Sequence, residues 1–198
     1  MRTTNGTNTH NGHEFVDLGL PSRTLWATCN VGATSPEQAG LYFAFGETTG
    51  FTAEQVEKGV RRFNKDSYKA KKFKSDLTLE EDAAHTYMGG KWRTPTYNEC
   101  QELIGNCDVV WTDDYGGTGG KGSVFTSKVN GNSVFFPAAG LCSNSSVINV
   151  DSCGYVWSAS WNSFSGAWYL YFNSGNFLVD YLCYYWYFGY SVRGVCKR

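Results

Sequence analysis

The sequence predicts an α+β fold, and three observations carry that prediction. Short strand-like runs punctuated by Gly and Pro open the chain, capping boxes lie in its middle, and strands with long loops fill the remainder. Strands, then helices, then strands is the order of an α+β domain, whereas a doubly wound parallel sheet alternates the two throughout. With 198 residues the chain has the size of one ordinary domain. A chain of that size buries roughly 70% of the surface its unfolded form exposes and folds without staples.

Residues 1–12 are mostly Thr, Asn and Gly with almost nothing to bury, so they read as a mobile lead-in, and 13–198 as the single domain. "HEFVDLGLPSRTLWATCNVGA" predicts two strands, Glu14 to Leu18 and Thr24 to Cys29, divided by a Gly-Leu-Pro-Ser turn. Ser35, Pro36 and Gln38 supply a capping hydroxyl, a proline at the first helical position and a glutamine reaching back, which predicts a helix start. Segment 52–76 carries eight of the basic residues and reads as a solvated insertion, its field cancelled in part by the acids at 80–82. Thr78 with Glu81, and Thr96 with Glu99, are capping boxes that predict two helices of about ten residues. "MGGKWRTP" connects them. In "TSKVNGNSVFF" the Asn130-Gly131 pair sits between two apolar runs and predicts a hairpin.

A formal net charge of -1 argues against a protein that holds nucleic acid by neutralising phosphates. No apolar run approaches the roughly 18 residues of a membrane span, so no direct membrane insertion is expected. "MRTTNGTNTHNGHEF" lacks an apolar h-region, so the chain as given is expected to carry no signal peptide. Seven cysteines lie at 29, 100, 107, 142, 153, 183 and 196 with no CxxC pair. Their odd number excludes a fully paired intramolecular set, and they read as small buried hydrophobes rather than a disulfide network.

From Gly140 to Cys196 the only charged residues are Asp151, Asp180 and Arg193, and Lys, Glu, Gln and Met are absent. Ser, Asn, Gly, Tyr, Phe and Trp take their place, the vocabulary of antibody contact loops, in which aromatic rings give rigid contact area and small polar residues adaptable hydrogen bonds. In "AWYLYF" alternation places Trp168, Leu170 and Phe172 on a core face with Ala167, Tyr169 and Tyr171 opposite, and Trp157 also reads as core. The unbroken row Tyr184, Tyr185, Trp186, Tyr187 and Phe188 cannot point wholly inward, so residues 178–188 read as an exposed contact surface and not as a buried strand cluster. Arg193 reads as a frame residue that holds the terminal strand by buried hydrogen bonds, and His85 as a satisfied scaffold histidine.

"VDLGLPSRTLWATCNVGA", "DAAHTYMGGKWRTPTYNECQELI", "GNSVFFPAAG", "VWSAS" and "GYSVRGV" resemble the Fibrobacter succinogenes major paralogous domain of gut Bacteroidetes. The resemblance covers nearly the whole chain from His13, with Arg23 standing where the family usually carries glycine. It implies a C-type lectin fold: two main helices with mixed and antiparallel strands as a scaffold at 13–140, and a long, loop-rich, irregular C-terminal region at about 141–190. The C-terminal end resembles, more narrowly, the variable protein of a diversity-generating retroelement. There, randomised template adenines let an AAY codon become any of fifteen residues, among them Asn, Asp, Ser, Tyr, Phe, Leu, Cys, Val, Ile and Gly, but never Lys, Glu, Gln, Met or Trp. Trp186 then requires a template AGG turned to TGG.

The resemblance implies a hypervariable ligand-binding protein, of receptor or adhesin type, on a cell surface, a pilus tip or a phage tail fibre. Its partner would be a protein or another macromolecular surface, with no catalytic residues, metal or cofactor. The displayed face it implies comprises Ile148, Asp151, Cys153, Tyr155, Val156, Phe164, Ser165, Tyr171, Leu178, Asp180, Tyr181, Leu182, Tyr184, Tyr185, Trp186, Tyr187 and Phe188, with Trp186 and its tyrosine neighbours as hot spots. Two alternatives share the fold. "WRTPTYNEC" is similar to the formylglycine-generating enzymes, whose chemistry needs a copper-binding cysteine pair, for which Cys183 and Cys196 are the late candidates. Carbohydrate binding without calcium is the other: the Glu-Pro-Asn, Gln-Pro-Asp and Trp-Asn-Asp motifs that bind calcium are missing, and Asp113 and Asp114 in "WTDDYGG" read as solvated turn residues.

Overall fold

A computed structural model describes residues 8–68, 73, 75–162, 166–183 and 186–198, with backbone alone for 181–183. The first strands are β1 (Thr9–His10), β2 (His13–Asp17), β3 (Thr24–Asn30) and β4 (Tyr42–Phe43). Helices α1 (Ala53–Glu57), α2 (Ala83–Met88) and α3 (Tyr97–Asn106) follow. Strands β5 (Cys107–Tyr115), β6 (Gly120–Ser127), β7 (Ser133–Pro137), β8 (Leu141–Ser143) and β9 (Ser146–Ile148) come next. The chain then runs through β10 (Cys153–Asn162), β11 (Gly166–Asn173), β12 (Phe177–Cys183), β13 (Tyr190–Ser191) and β14 (Arg193–Lys197). Strand predominates over helix, within a mixed α+β architecture.

Four sheets organise these strands: β1-β2-β3-β14, β12-β11-β10-β13-β4, β5-β6-β7 and the hairpin β8-β9. The last strand closes the first sheet, pairing antiparallel with β3 at Val195 and Trp26. Arg193 locks this closure as the sequence predicts. Fully buried, it donates from Nε to Asn30 Oδ1 (2.9 Å), from Nη1 to the carbonyls of Ala27 and Thr28 (both 2.8 Å), and from Nη2 to that of Phe135 (3.1 Å). Its guanidinium lies 4.3 Å from the Phe136 ring centre, so the charge leaves water with hydrogen-bond partners in place. Burial lowers its pKa to about 9, which still leaves it protonated at neutral pH.

The lead-in is ordered closer to the N-terminus than its composition predicts. Asn11 and Gly12, at φ 48° and 79°, form a two-residue turn of the primed kind that joins β1 to β2. The His10 carbonyl accepts from Trp92 Nε1 (2.8 Å) and its Nε2 from the Lys91 amide (3.0 Å), which fastens the hairpin to the body. Residues 1–7 lie outside the described residues.

The helix expected from Ser35 is a single turn, closed by Gln38 N–H to the Ser35 carbonyl (3.2 Å). The chain has to return at once, because the Leu41 amide donates to the Val31 carbonyl (2.9 Å). The Thr78 and Glu81 box closes only a 3₁₀ turn, Leu79–Glu81. Helix α2 then starts from a second cap, Asp82, because this buried carboxylate accepts from the His85 amide (3.1 Å) and from both the amide and hydroxyl of Thr94 (2.8 Å each), fixing its backbone outside the helix. The Thr96 and Glu99 box does open a helix of ten residues, α3. Segment 52–76 is also more than a solvated insertion: Val56, Phe63 and Tyr68 are buried in a core cluster with Tyr42, Ala44, Ala139 and Cys142, and Arg61 pairs with both carboxylate oxygens of Glu47 (2.7 and 2.8 Å).

The hairpin at Asn130 and Gly131 forms, and the side-chain amides of Asn130 and Asn132 clip its tip to the Asp17 carbonyl (2.9 and 2.8 Å). The C-terminal region departs from the irregular loops expected of it. Among its described residues, Cys153–Asn162, Gly166–Asn173 and Phe177–Cys183 form an antiparallel meander of β10, β11 and β12. Period-two alternation on both sides of β11 is the reason: Leu170 and Phe172 enter one core cluster while Ala167 and Tyr169 enter another, so the strand is buried on both faces.

Candidate functional site

Register fixes which side chains of the meander share a face, because directly paired residues project to the same side. Val156, Leu170 and Val179 stand opposite one another across the three strands, and with Phe172 they face the core cluster that contains Cys100 and Leu103 of α3. Trp168 completes this side at its margin, half-buried, with its ring centre 4.3 Å from that of Tyr97. The other side carries Cys153, Tyr155 and Trp157 from β10, Tyr169 and Tyr171 from β11, and Leu178 and Asp180 from β12.

This second side grades from core to solvent. Trp157 and Tyr169 are buried and stack around Tyr190, whose ring centre lies 4.2 Å from Trp157 and 5.3 Å from Tyr169. Tyr155 and Tyr171, with ring centres 5.2 Å apart, lie over them half-exposed, as do Cys153, Leu178 and Asp180. Polar contacts hold these rings in place. Asn149 Nδ2 donates to the Tyr155 hydroxyl (3.3 Å), Asn173 Nδ2 to that of Tyr171 (2.7 Å), and the Cys153 sulfur lies 3.5 Å from the Tyr171 oxygen. Tyr169 is hydrogen-bonded to Asp180, its cross-strand neighbour. Burial raises the Tyr169 phenol, and the Asp180 charge raises it further. Burial also pushes Tyr171 up, to about 12, so the phenols stay neutral at any physiological pH.

Of the predicted face, Tyr155, Tyr171, Leu178, Asp180 and Cys153 come together on this surface. Ile148 at the end of β9 and Asp151 in the turn before β10 are exposed. Val156 is corrected: alternation turns it away from Tyr155 and into the core, with 3% of its surface exposed. Trp186, Tyr187 and Phe188 are half-buried rather than fully displayed. Trp186 packs on Trp161 (5.8 Å between ring centres) and its carbonyl accepts from the Phe45 amide (2.9 Å), so it is partly a frame residue. Tyr181 and Leu182 lie in β12, which makes 178–183 an edge strand instead of a loop. Phe164, Ser165, Tyr184 and Tyr185 fall outside the described residues. Tyr169 and Tyr190 form the floor of the face and were not singled out by sequence, although the alternation of "AWYLYF" already sets Tyr169 beside Tyr171.

Of the residues named for the alternative chemistries, Cys183 ends β12. Cys196 is buried, its thiol raised by that burial, and the side chain of Cys183 lies outside the described residues. The described thiols are all free, with Cys100, Cys107, Cys142 and Cys196 buried and Cys29 and Cys153 half-exposed. Asp113 and Asp114 stand exposed at the end of β5 rather than in a turn, where Asp113 accepts from Trp111 Nε1 (3.0 Å) and Asp114 from the Gly119 amide (2.6 Å). His85 Nδ1 lies 3.1 Å from the Trp92 carbonyl, a scaffold contact. Among the described residues no group of three or more His, Cys, Asp or Glu could hold a metal ion. Nor is any helix among them long and apolar enough to cross a membrane. Comparison with known proteins gives no match, whether to a family model, a curated protein or a solved structure.

Proposed function

We propose that the chain is a non-enzymatic ligand-binding protein that displays a diversified, aromatic-rich surface on a C-type lectin scaffold, as the variable protein of a diversity-generating retroelement. One observation carries this reading: the half-exposed side of the meander gathers Tyr155, Tyr171, Leu178 and Asp180, residue types within the reach of a randomised AAY codon, over a floor of buried rings. A surface held by a packed floor loses little freedom on binding, which is what a displayed contact site requires. Closure of the first sheet by the last strand, with α2 and α3 contributing to two separate core clusters, suits the proposed scaffold. The partner is a protein or another macromolecular surface, met on the outside of a cell, at a pilus tip or on a phage tail fibre.

Sequencing this gene from independent isolates tests the reading. Substitutions should concentrate at solvent-facing positions between Ile148 and Phe188 and spare Gly154, Trp157 and Arg193. A near-copy of the 3′ end, differing only where the copy has adenine, should lie beside a reverse transcriptase gene. Substitutions scattered evenly over the scaffold, or striking Arg193, would overturn it.

A further inference from the structure

We infer that β5 is the interface between two copies of this chain, joined edge to edge about a two-fold axis at Val110 into one continuous antiparallel sheet. The inference concerns a different sheet from the displayed one and does not rest on the ligand-binding reading.

β5 ends the order β5-β6-β7, and among the described residues neither a ladder nor a single bridge continues beyond it. The other edges are short, covered or already assigned. β1 has two residues, single bridges to Phe51 and Arg93 flank β4 and β14, and Arg193 takes the Phe135 carbonyl of β7. β12, the remaining long edge, belongs to the site described above. β5 by contrast runs for nine residues without the Lys or Pro that commonly blunts an exposed edge. The Lys128 amide donates to the Asn106 carbonyl (2.9 Å) just before the ladder starts. Hydrogen-bonded pairs alternate from there, so the amides and carbonyls of Val109 and Trp111 point away from β6. Val110, between them, is 63% exposed.

The acids of β5 decide what can join this edge, and in which register. Two copies of one strand meet isologously, each residue facing its mirror position across the axis, and like charges placed opposite repel. An axis at Trp111 sets Asp108 against Asp114 twice, and one at Val109 runs Thr112 onto Asn106, the last residue of α3. An axis at Val110 has neither fault. It sets Asp108 opposite Thr112, Val109 opposite Trp111 and Val110 opposite itself, which uses the whole regular stretch before the irregularity that follows Thr112. Val109 and Trp111 already pack at the margin of the core cluster that α3 enters, so their cross-pairing extends it. Asp113 and Asp114 then run toward the start of β5 in the second copy, where the Lys128 ammonium lies 3.3 Å from the Gly105 carbonyl and 3.8 Å from Asp108. Apolar contact at the middle and attraction at both ends make the edge complementary to itself.

Sedimentation equilibrium on the intact chain should give a mass that rises with concentration toward twice 22.0 kDa. Val110→Lys, which sets two ammonium groups face to face at the axis, should hold the mass at 22.0 kDa and leave the far-ultraviolet circular dichroism unchanged. Oxidation reads the register. Val110 would meet itself as a non-hydrogen-bonded pair, whose Cα atoms lie about 4.5 Å apart and within disulfide reach. Val110→Cys should therefore cross-link into a dimer that reductant separates, while Thr112→Cys, which faces Asp108, should cross-link no more than the parent. A parent chain that stays monomeric at every concentration, a Val110→Lys variant that still doubles in mass, or a Thr112→Cys variant that cross-links as readily as Val110→Cys would overturn the inference.

Discussion

Arg23 adopts φ 58°, the left-handed region in which an L side chain crowds the following carbonyl. Of the other non-glycine residues with positive φ, at 11, 144, 149 and 151, three are Asn and one is Asp, types that tolerate this region through local hydrogen bonds. Arginine has no such relief. The turn requires the conformation because the Arg23 amide closes onto the Leu20 carbonyl (2.8 Å) just before β3 begins. Left-handed backbone costs a non-glycine residue roughly 1–2 kcal/mol, and glycine's greater freedom in the unfolded chain returns part of that. Arg23→Gly should therefore raise stability by about 0.5–1 kcal/mol, read as a higher urea midpoint with an unchanged slope. An unchanged or lower midpoint would mean that the arginine side chain contributes more than its backbone strain removes.

Elements whose cause is local were legible in the sequence. The paired strands of "HEFVDLGLPSRTLWATCN", the hairpin at Asn130 and Gly131, and helix α3 follow from alternation, turn chemistry and a capping box, and they occur within a residue or two of their predicted limits. Elements decided by distant partners were not. Asp82 stops the earlier box from extending because Thr94 claims its carboxylate, and nothing near Thr78 announces that. The C-terminal meander was hidden because tyrosine can lie on either side of a sheet, so a run of rings carries no inside or outside. Register alone separates Val156 from Tyr155. One residue of the meander makes the point by its smallness: a Cβ on Gly154 would come within 1.9 Å of the Phe172 ring, its cross-strand neighbour in the core. Gly154→Ala forces that ring out of place, and overpacking of this kind costs about 1–3 kcal/mol. The loss should appear in chemical denaturation and be recovered in part by pairing it with Phe172→Leu.

The whole molecule is held together by a second buried charge as well as by Arg193. Glu99, the capping residue of α3, accepts from both arms of Arg93 (2.6 and 2.7 Å) and from the Thr24 hydroxyl of β3 (3.0 Å), and it pairs with Lys197 of β14 at 3.3 Å. Burial by itself would raise its carboxyl, but the hydrogen bonds from Arg93, Thr96 and Thr24 outweigh burial and hold it near 2, below the ordinary 4.5. A lowered folded-state pKa stabilises the protein fully above the unfolded value, and that contribution disappears as pH falls from about 4.5 toward about 2. Glu99→Gln should cost about 3 kcal/mol at neutral pH and flatten the acid limb of the stability curve, as denaturation at a series of pH values would reveal. A variant with the same acid limb as the parent would show that other carboxylates govern it.

Arg193 lies beyond the whole aromatic meander in chain order, yet it ties down strands laid at the start. A frameshift or premature stop anywhere between residues 140 and 190 thus removes the clasp along with the message it spoils. Such products would stay open and be cleared by proteases, so the fold proofreads its own gene: only copies read through in frame complete the first sheet.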